Sequence, residues 1–163
     1  MTDKLFRIGL GEDIHQLVDG SEVILSGVHI PFNKKLLGHS DADVVYHAVS
    51  DAILGALALG DIGQHFRTDD PEWEGADSSK IVSRVVEMMV AKGYQVSNID
   101  VSVSCEKPHL SKYILAMREN LAKLLRVSIE ETSIKAMTNE GMDAVGASKA
   151  IRATAIVLLA KAN

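Results

Sequence analysis

Cysteine is almost absent from this chain of 163 residues, with Cys105 the single example. One thiol excludes an intramolecular disulfide framework and fits a reducing compartment such as the cytoplasm. No apolar run reaches bilayer-spanning length, and no basic segment leading into an apolar one opens the chain. A soluble protein without a secretory leader or a membrane association is therefore expected. Lys and Arg are not concentrated anywhere: 17 of them face 22 Asp and Glu. The resulting formal net charge of −5 argues against a nucleic-acid surface. An acidic protein that takes a polyphosphate needs local cations, and bound metal ions would supply them. Internal repeats and low-complexity segments are missing as well. With 47% hydrophobic residues, the length and composition predict one well-packed domain over 1–163.

The pattern of elements alternates between strand and helix. Lys4 to Ile14 reads as a strand, with Gly9 and Gly11 weakening its middle or allowing close backbone approach. Glu22 to Ile30 reads as one or two short strands ended by Pro31. Ser40 fits a helix N-cap, with Asp43 three positions on in capping-box fashion, and Val44 to Leu59 forms the helix up to Gly60. The polar stretch Asp61 to Ser79, containing Trp73, reads as a long loop of the kind that often serves as a lid or binding segment. Ser79 or Asp77 caps a second helix running to about Lys92. Tyr94 to Cys105 alternates as a strand, Leu110 to Arg126 is a third helix, and Ile134 to Thr138 is another strand. Thr138 to Ser148 is a flexible loop, and Ile151 to Ala160 is a final apolar strand. The order predicts an α/β (α+β) sandwich, with a mixed four-stranded-type sheet carrying helices on one face.

Metal chemistry is suggested by Asp13-Ile14-His15 together with His47. Side chains two apart in a strand share a face, so Asp13 and His15 can converge on one point. A helix packed over that strand would bring His47 as a third ligand. Two imidazoles and a carboxylate with an open fourth position is the pattern of catalytic zinc. On the helix, Asp43, His47 and Asp51 share a face with His39 just before it. Asp43 or Asp51 either satisfies His47 as an ordinary helix residue or orients it as a metal ligand, and spacing alone leaves both open. His39 and Ser40 stand where a helix N-terminus would favour an anion. Thr138, Asn139 and Glu140 follow a strand, where a hydroxyl and a carboxylate suit a phosphate and a hard cation such as Mg²⁺.

Four blocks then occur in order. They are Gly9-Leu10-Gly11-Glu12-Asp13-Ile14-His15, the run from Leu36 through His39-Ser40-Asp41-Ala42-Asp43 and His47 to Ala52, Ala58-Leu59-Gly60-Asp61-Ile62-Gly63-Gln64-His65-Phe66, and Gly75-Ala76-Asp77-Ser78. Together they resemble the 2-C-methyl-D-erythritol 2,4-cyclodiphosphate synthases of the non-mevalonate isoprenoid pathway, over almost the whole chain.

The resemblance implies a homotrimer with active sites between subunits. The substrate it implies is 4-diphosphocytidyl-2-C-methyl-D-erythritol 2-phosphate, cyclised with release of CMP. By position, Asp13, His15 and His47 match the ligands of one Zn²⁺ per subunit, and Glu140 matches the carboxylate near Mg²⁺ or Mn²⁺ on the substrate diphosphate. His39 and Thr138 match the residues assigned to transition-state stabilisation. The remaining substrate contacts fall on Ser40, on Asp61, Ile62 and Gly63, and on Phe66, Arg67, Thr68, Asp69 and Asp70. The cytidine side is matched by Cys105, Glu106, Lys107, Pro108, His109, Leu110 and Ser111, with Met137, Thr138 and Asn139 beside it. The attacking 2-phosphate is largely dianionic near neutral pH, its second pKa being about 6, so no general base is required. Two other functions use the same residues: a metal-dependent phosphohydrolase, and a non-catalytic trimeric module that binds metal or nucleotide.

Three stretches depart from the family pattern. Arg67-Thr68-Asp69-Asp70-Pro71 replaces the usual Pro-Asp-Thr-Asp-Pro, and Glu106-Lys107-Pro108-His109 replaces Gln-x-Pro-Lys. Near the carboxyl end, Ala144 and Ala147 stand where many members have an aromatic residue and an arginine that line a cavity for isoprenoid diphosphates. Alanine cannot make the charge-assisted bonds that arginine makes to a diphosphate. Geranyl diphosphate is therefore expected to bind weakly, with any residual affinity carried by Lys149. Calorimetric titration of wild type and Lys149→Ala checks this, and tight binding independent of Lys149 would refute it.

Overall fold

The computed structural model describes residues 4–163. Its strands are β1 (Phe6–Asp19), β2 (Glu22–Leu25), β3 (Val28–Pro31), β4 (Lys34–Leu36), β5 (Tyr94–Ser104), β6 (Thr132–Met137) and β7 (Ala150–Lys161). Its helices are α1 (Val44–Ala56), α2 (Ile62–His65), α3 (Ser78–Ala91), α4 (Ile114–Leu125) and α5 (Asp143–Gly146). Five strands form a mixed sheet in the order β4-β1-β7-β5-β6, so the expected four-stranded sheet is one strand short. The missing strand is β4, whose three residues are too few to show an alternating pattern. Only β5 and β6 run parallel, joined through α4, as a parallel pair requires a long crossover.

The two faces of the sheet differ. Along β1 the odd positions Gly9, Gly11, Asp13 and His15 turn toward the helices, and the even positions Phe6, Ile8, Leu10 and Ile14 are exposed on the other side. Ile156 of β7, paired with Leu10, extends that open apolar face. On the covered face, α1 lies on β1 at backbone contact. A methyl group at Gly9 would sit 1.8 Å from the Ala52 carbonyl oxygen, and one at Gly11 would sit 1.9 Å from that of Ala48. Moving along β1 by two residues thus moves back along α1 by one turn. Asp13 comes next on the strand, and it meets the first turn of α1. Every α1 residue except Asp51 and Gly55 is buried, as expected for a helix enclosed on all sides.

Local chemistry corrects several boundaries. β1 continues to Asp19 because its end pairs with β4, and Glu22–Pro31 is a hairpin whose turn residues Ser26 and Gly27 both have positive φ. The N-cap of α1 is Asp43, not Ser40: Ala42 has φ 57°, which breaks any helical continuation back to Ser40. The buried Asp43 carboxylate accepts N–H groups from Val45 and Tyr46 in its own helix and from Ser26 and Gly27 in the hairpin turn. The stretch after Asp61 contains α2 and is not pure loop, with Asp61 as its N-cap. Asp77 caps α3, accepting the Ser79 N–H at 2.8 Å. The expected third helix begins with a 3₁₀ turn over Ser111–Tyr113, and α5 interrupts the expected 138–148 loop. No helix among the described residues is long and apolar enough to cross a membrane.

Two measurements check this packing. Gly11→Ala should destabilise the protein by 3 kcal/mol or more, about the upper end for overpacking, because the clash is with backbone; urea unfolding reads the loss. The second concerns Asp43, whose carboxyl burial pushes up to about 6 from the ordinary 3.8, against the opposing pull of its backbone N–H partners. The folded state then holds this proton more tightly than the unfolded chain. Its stabilisation is full below the ordinary value and is lost as pH rises through about 6, by roughly 3 kcal/mol at most. Asp43→Asn, which cannot ionise, should therefore gain on wild type in urea unfolding between pH 4 and 7, and a constant difference would refute this.

Candidate metal centre and nucleotide cleft

Asp13, His15 and His47 meet. Asp13 Oδ2 lies 3.0 Å from His15 Nε2 and 3.1 Å from His47 Nδ1, and the three ligand atoms all lie within 4.8 Å of one another. His15 Nδ1 donates to the Leu37 carbonyl at 2.6 Å, which turns Nε2 inward. His47 Nε2 is 2.9 Å from Ser78 Oγ, so its Nδ1 is the inward atom. Two ring nitrogens and a carboxylate oxygen therefore converge. In a tetrahedral zinc site with bonds near 2.1 Å, ligand atoms are about 3.4 Å apart, so the set fits a cation after a small opening. Neither Asp43 nor Asp51 serves His47. Asp43 is spent on backbone N–H groups, and Asp51 accepts the Ile62 N–H at 2.8 Å, which holds the start of α2.

The electrostatics match a site built for positive charge. Burial raises the Asp13 carboxyl, but its hydrogen bonds and charge interactions with His15 and His47 together outweigh that and hold it below the usual range. His15 is raised chiefly by the same hydrogen bond to Asp13, against its burial.

A cavity of about 200 Å³ opens at this cluster. His39, Ser40, Ile62, Gly63, Phe66 and Thr68 line it, so those sequence-derived residues are gathered here. Trp73, within the stretch expected as a loop, packs edge-on against Phe66 at 4.8 Å and forms a wall with Ile81. Asp61 is occupied as the α2 cap, Arg67 and Asp69 pair with each other in solvent, and Asp70 faces the neighbouring groove toward α3. The anion position expected at the start of the first helix is displaced. The Asp43 carboxylate already takes the free N–H groups there, and His39 and Ser40 belong to the preceding loop.

A second cleft, of about 580 Å³, lies at the carboxyl ends of the parallel pair β5 and β6. Open α/β sheets favour ligands at such strand ends. Cys105, Pro108, His109, Leu110 and Ser111 form one side and Met137 and Thr138 the other. The sides are tied by Cys105 N–H to the Met137 carbonyl at 2.9 Å and by Asn139 N–H to the Glu106 carboxylate at 2.8 Å. The Lys107–Pro108 peptide is cis. Lys107 and His109 contact each other at 3.0 Å. Burial, reinforced by Glu106, pushes the Cys105 thiol up to about 12, so it packs and does not react. Asn139 bonds Asp143, and Glu140 is exposed at φ 52°, its N–H on Thr138 Oγ1.

The two clefts share no residue. Asp13 is level with Ala153 of β7, Val103 of β5 and Ala136 of β6, so three strand spacings, about 14 Å, separate the acidic end of the cluster from the β6 side of the second cleft. Within one subunit, Thr138 and Glu140 are thus not brought to Asp13, His15 and His47. Ser78 also contacts the cluster through His47, and Asp41 reaches it only through Ser78; both lie within the resembling blocks, but no spacing rule marks them.

A model of the YgbB family matches residues 6–160. The 2-C-methyl-D-erythritol 2,4-cyclodiphosphate synthase of Pelobacter propionicus is 48% identical over 153 residues, 94% of this chain and 97% of that protein. Among solved structures, IspF of Plasmodium falciparum in complex with CDP superposes with a TM-score of 0.87 at 32% identity, over 99% of this chain and 100% of that one. The bifunctional IspDF of Campylobacter jejuni superposes with a TM-score of 0.91 at 31% identity, over 96% of this chain and 42% of that longer one. Sheet, converging ligands and full-length likeness agree, and the chain belongs to the YgbB family of 2-C-methyl-D-erythritol 2,4-cyclodiphosphate synthases, lyases of isoprenoid biosynthesis.

Proposed function

We propose that the chain, as one domain over 1–163, forms a homotrimer whose active sites each combine the metal cluster of one subunit with the nucleotide cleft of the next. In each site, 4-diphosphocytidyl-2-C-methyl-D-erythritol 2-phosphate is cyclised to 2-C-methyl-D-erythritol 2,4-cyclodiphosphate and CMP. The observation that carries this is the division of the site residues between two clefts about 14 Å apart, each holding half of what the reaction needs. The open apolar face of Phe6, Ile8, Leu10, Ile14 and Ile156 supports the assembly, since it is a surface that other copies can cover.

Asp13, His15 and His47 would hold Zn²⁺, and Glu140 would face Mg²⁺ or Mn²⁺ carried on the diphosphate; bound there, these ions act as Lewis acids that offset phosphate charge. The residues themselves then do three things. The turn from Cys105 to Ser111 presents backbone groups to the cytosine, with Lys107 and His109 beside it. The loop of Ile62, Gly63, Phe66 and Thr68, backed by Trp73, encloses the methylerythritol and keeps water from the phosphates. His39 and Thr138 approach from the two subunits and donate to the equatorial oxygens where charge builds. Because both reacting phosphates belong to one bound molecule, holding its ends supplies proximity without a catalytic base. The free Cys105 thiol suits a cytoplasmic enzyme.

The test mixes two inactive variants, His47→Ala and Thr138→Ala, by unfolding and refolding them together and following ³¹P NMR with substrate and divalent metal. Random trimers should regain about a quarter of wild-type activity, because a mixed ring restores one unmutated site in three. Cyclic diphosphate and CMP are the expected products, and chelation should abolish them. No recovery on mixing would refute the shared site. Inorganic phosphate in place of the cyclic product would indicate a phosphohydrolase.

A further inference from the structure

Ser78 stands fully buried at the first turn of α3 and reaches His47 from outside the ligand cluster. Its Oγ is 2.9 Å from His47 Nε2, and Ser40 Oγ is 3.2 Å from the same nitrogen. The hydroxyl of Ser78 donates its one hydrogen to Asp41 Oδ1, while Asp41 Oδ2 accepts the Ser78 backbone N–H at 3.0 Å. A carboxylate only accepts, so this hydrogen is committed. Ser78 Oγ can therefore offer Nε2 nothing but lone pairs. His47 Nε2 must supply the hydrogen of that contact, and in the neutral ring this leaves the Nδ1 lone pair facing Asp13 at 3.1 Å, an arrangement that a cation between the two atoms would satisfy.

We propose that Asp41 and Ser78 are positioning residues that hold His47 in its Nε2–H tautomer and aim Nδ1 at the metal site. Neither lines the cavity at the cluster, and neither belongs to the converging ligand set. The inference rests on the metal reading above and deepens it. His15 has a matching restraint, since its Nδ1–H is fixed by the Leu37 carbonyl. Metal-binding histidines characteristically donate their outer N–H to a carboxylate or carbonyl, directly or through a polar group, and this sharpens both orientation and basicity.

Helix capping does not account for the arrangement. The cap of α3 is Asp77, and the side chain of Ser78 is not needed to start that helix. Ser40 adds a weaker contact: its Oγ already accepts the Ala42 N–H at 3.3 Å and lies 3.3 Å from Ser78 Oγ. It leaves a partial substitute when Ser78 is truncated. The chain Asp41–Ser78–His47 also joins three separate segments, the loop before α1, the start of α3 and α1 itself. The ring orientation is thereby set by tertiary structure and not by α1 alone.

The full-length protein is stripped of metal and titrated with Zn²⁺ in competition with a chromophoric chelator. Ser78→Ala should weaken Zn²⁺ binding by about 10–100-fold, and Asp41→Asn by a smaller factor in the same direction. His47→Ala should abolish binding at this site. Long-range ¹H–¹⁵N NMR at pH 8 reads the tautomer directly: wild-type His47 should be Nε2–H, and Ser78→Ala should show a mixture. A merely structural Ser78 would lower thermal stability without moving that pattern. Wild-type affinity and an unchanged tautomer in Ser78→Ala overturn the proposal. If that variant does not fold, the same two readouts on Asp41→Asn decide it. Failure of the wild-type protein to bind Zn²⁺ overturns this proposal and the metal site together.

Discussion

Backbone contact between α1 and β1 is the constraint from which the rest of the candidate metal centre follows. Gly9 and Gly11 remove the side chains that would otherwise hold a helix off a strand at the usual distance. At that spacing, a histidine on the first turns of α1 reaches a carboxylate on β1 without bending either element. Asp43 adds the second fixed point. By joining the start of α1 to the β2–β3 turn through four backbone N–H groups, it sets where the helix begins and how it is rotated. The ligands are thus carried on regular, buried elements, which hold geometry better than loops do.

The same frame explains how an acidic protein handles a polyanion. Four acidic side chains around the cluster are used internally: Asp43 on backbone dipoles, Asp51 on the start of α2, Asp13 between two imidazoles, and Asp41 on Ser78. Such carboxylates present little field to an incoming phosphate. At the other cleft, proposed above for the cytidine, the strand ends of β5 and β6 are tied together by a main-chain bond and by Glu106. Departures from the family in side chains of that turn therefore fall where main chain does much of the shaping.

Much of this was legible in the sequence because it depends on short-range periodicity. Asp13 and His15 share a face by strand alternation alone, and the apolar stretch around His47 announces a buried helix. The family blocks then supplied which residues belong together. What was not legible depended on contacts far apart in the chain. Ser40 followed by Asp43 mimics a capping box, but the left-handed turn at Ala42 and the pull of the β2–β3 hairpin shift the cap to Asp43. Asp43 and Asp51 sit one turn either side of His47, yet each is claimed by another segment. The true partner of the outer nitrogen, Ser78, lies 31 residues away on a different helix. β4 was too short to carry a pattern, and the lining role of Trp73 arises only when the loop folds back on Phe66.

The uncovered apolar face of the sheet has a consequence for the life of each newly made subunit. Phe6, Ile8, Leu10, Ile14 and Ile156 leave a folded chain whose most hydrophobic surface still touches water. In the assembly proposed above, part of the folding free energy is collected only when copies meet, so stability becomes a function of concentration as well as of sequence. Dilution then acts as a denaturant, and a cell must synthesise this protein faster than lone subunits are lost to proteolysis or to wrong contacts. Residues remote from either cleft come under selection for the speed of self-association.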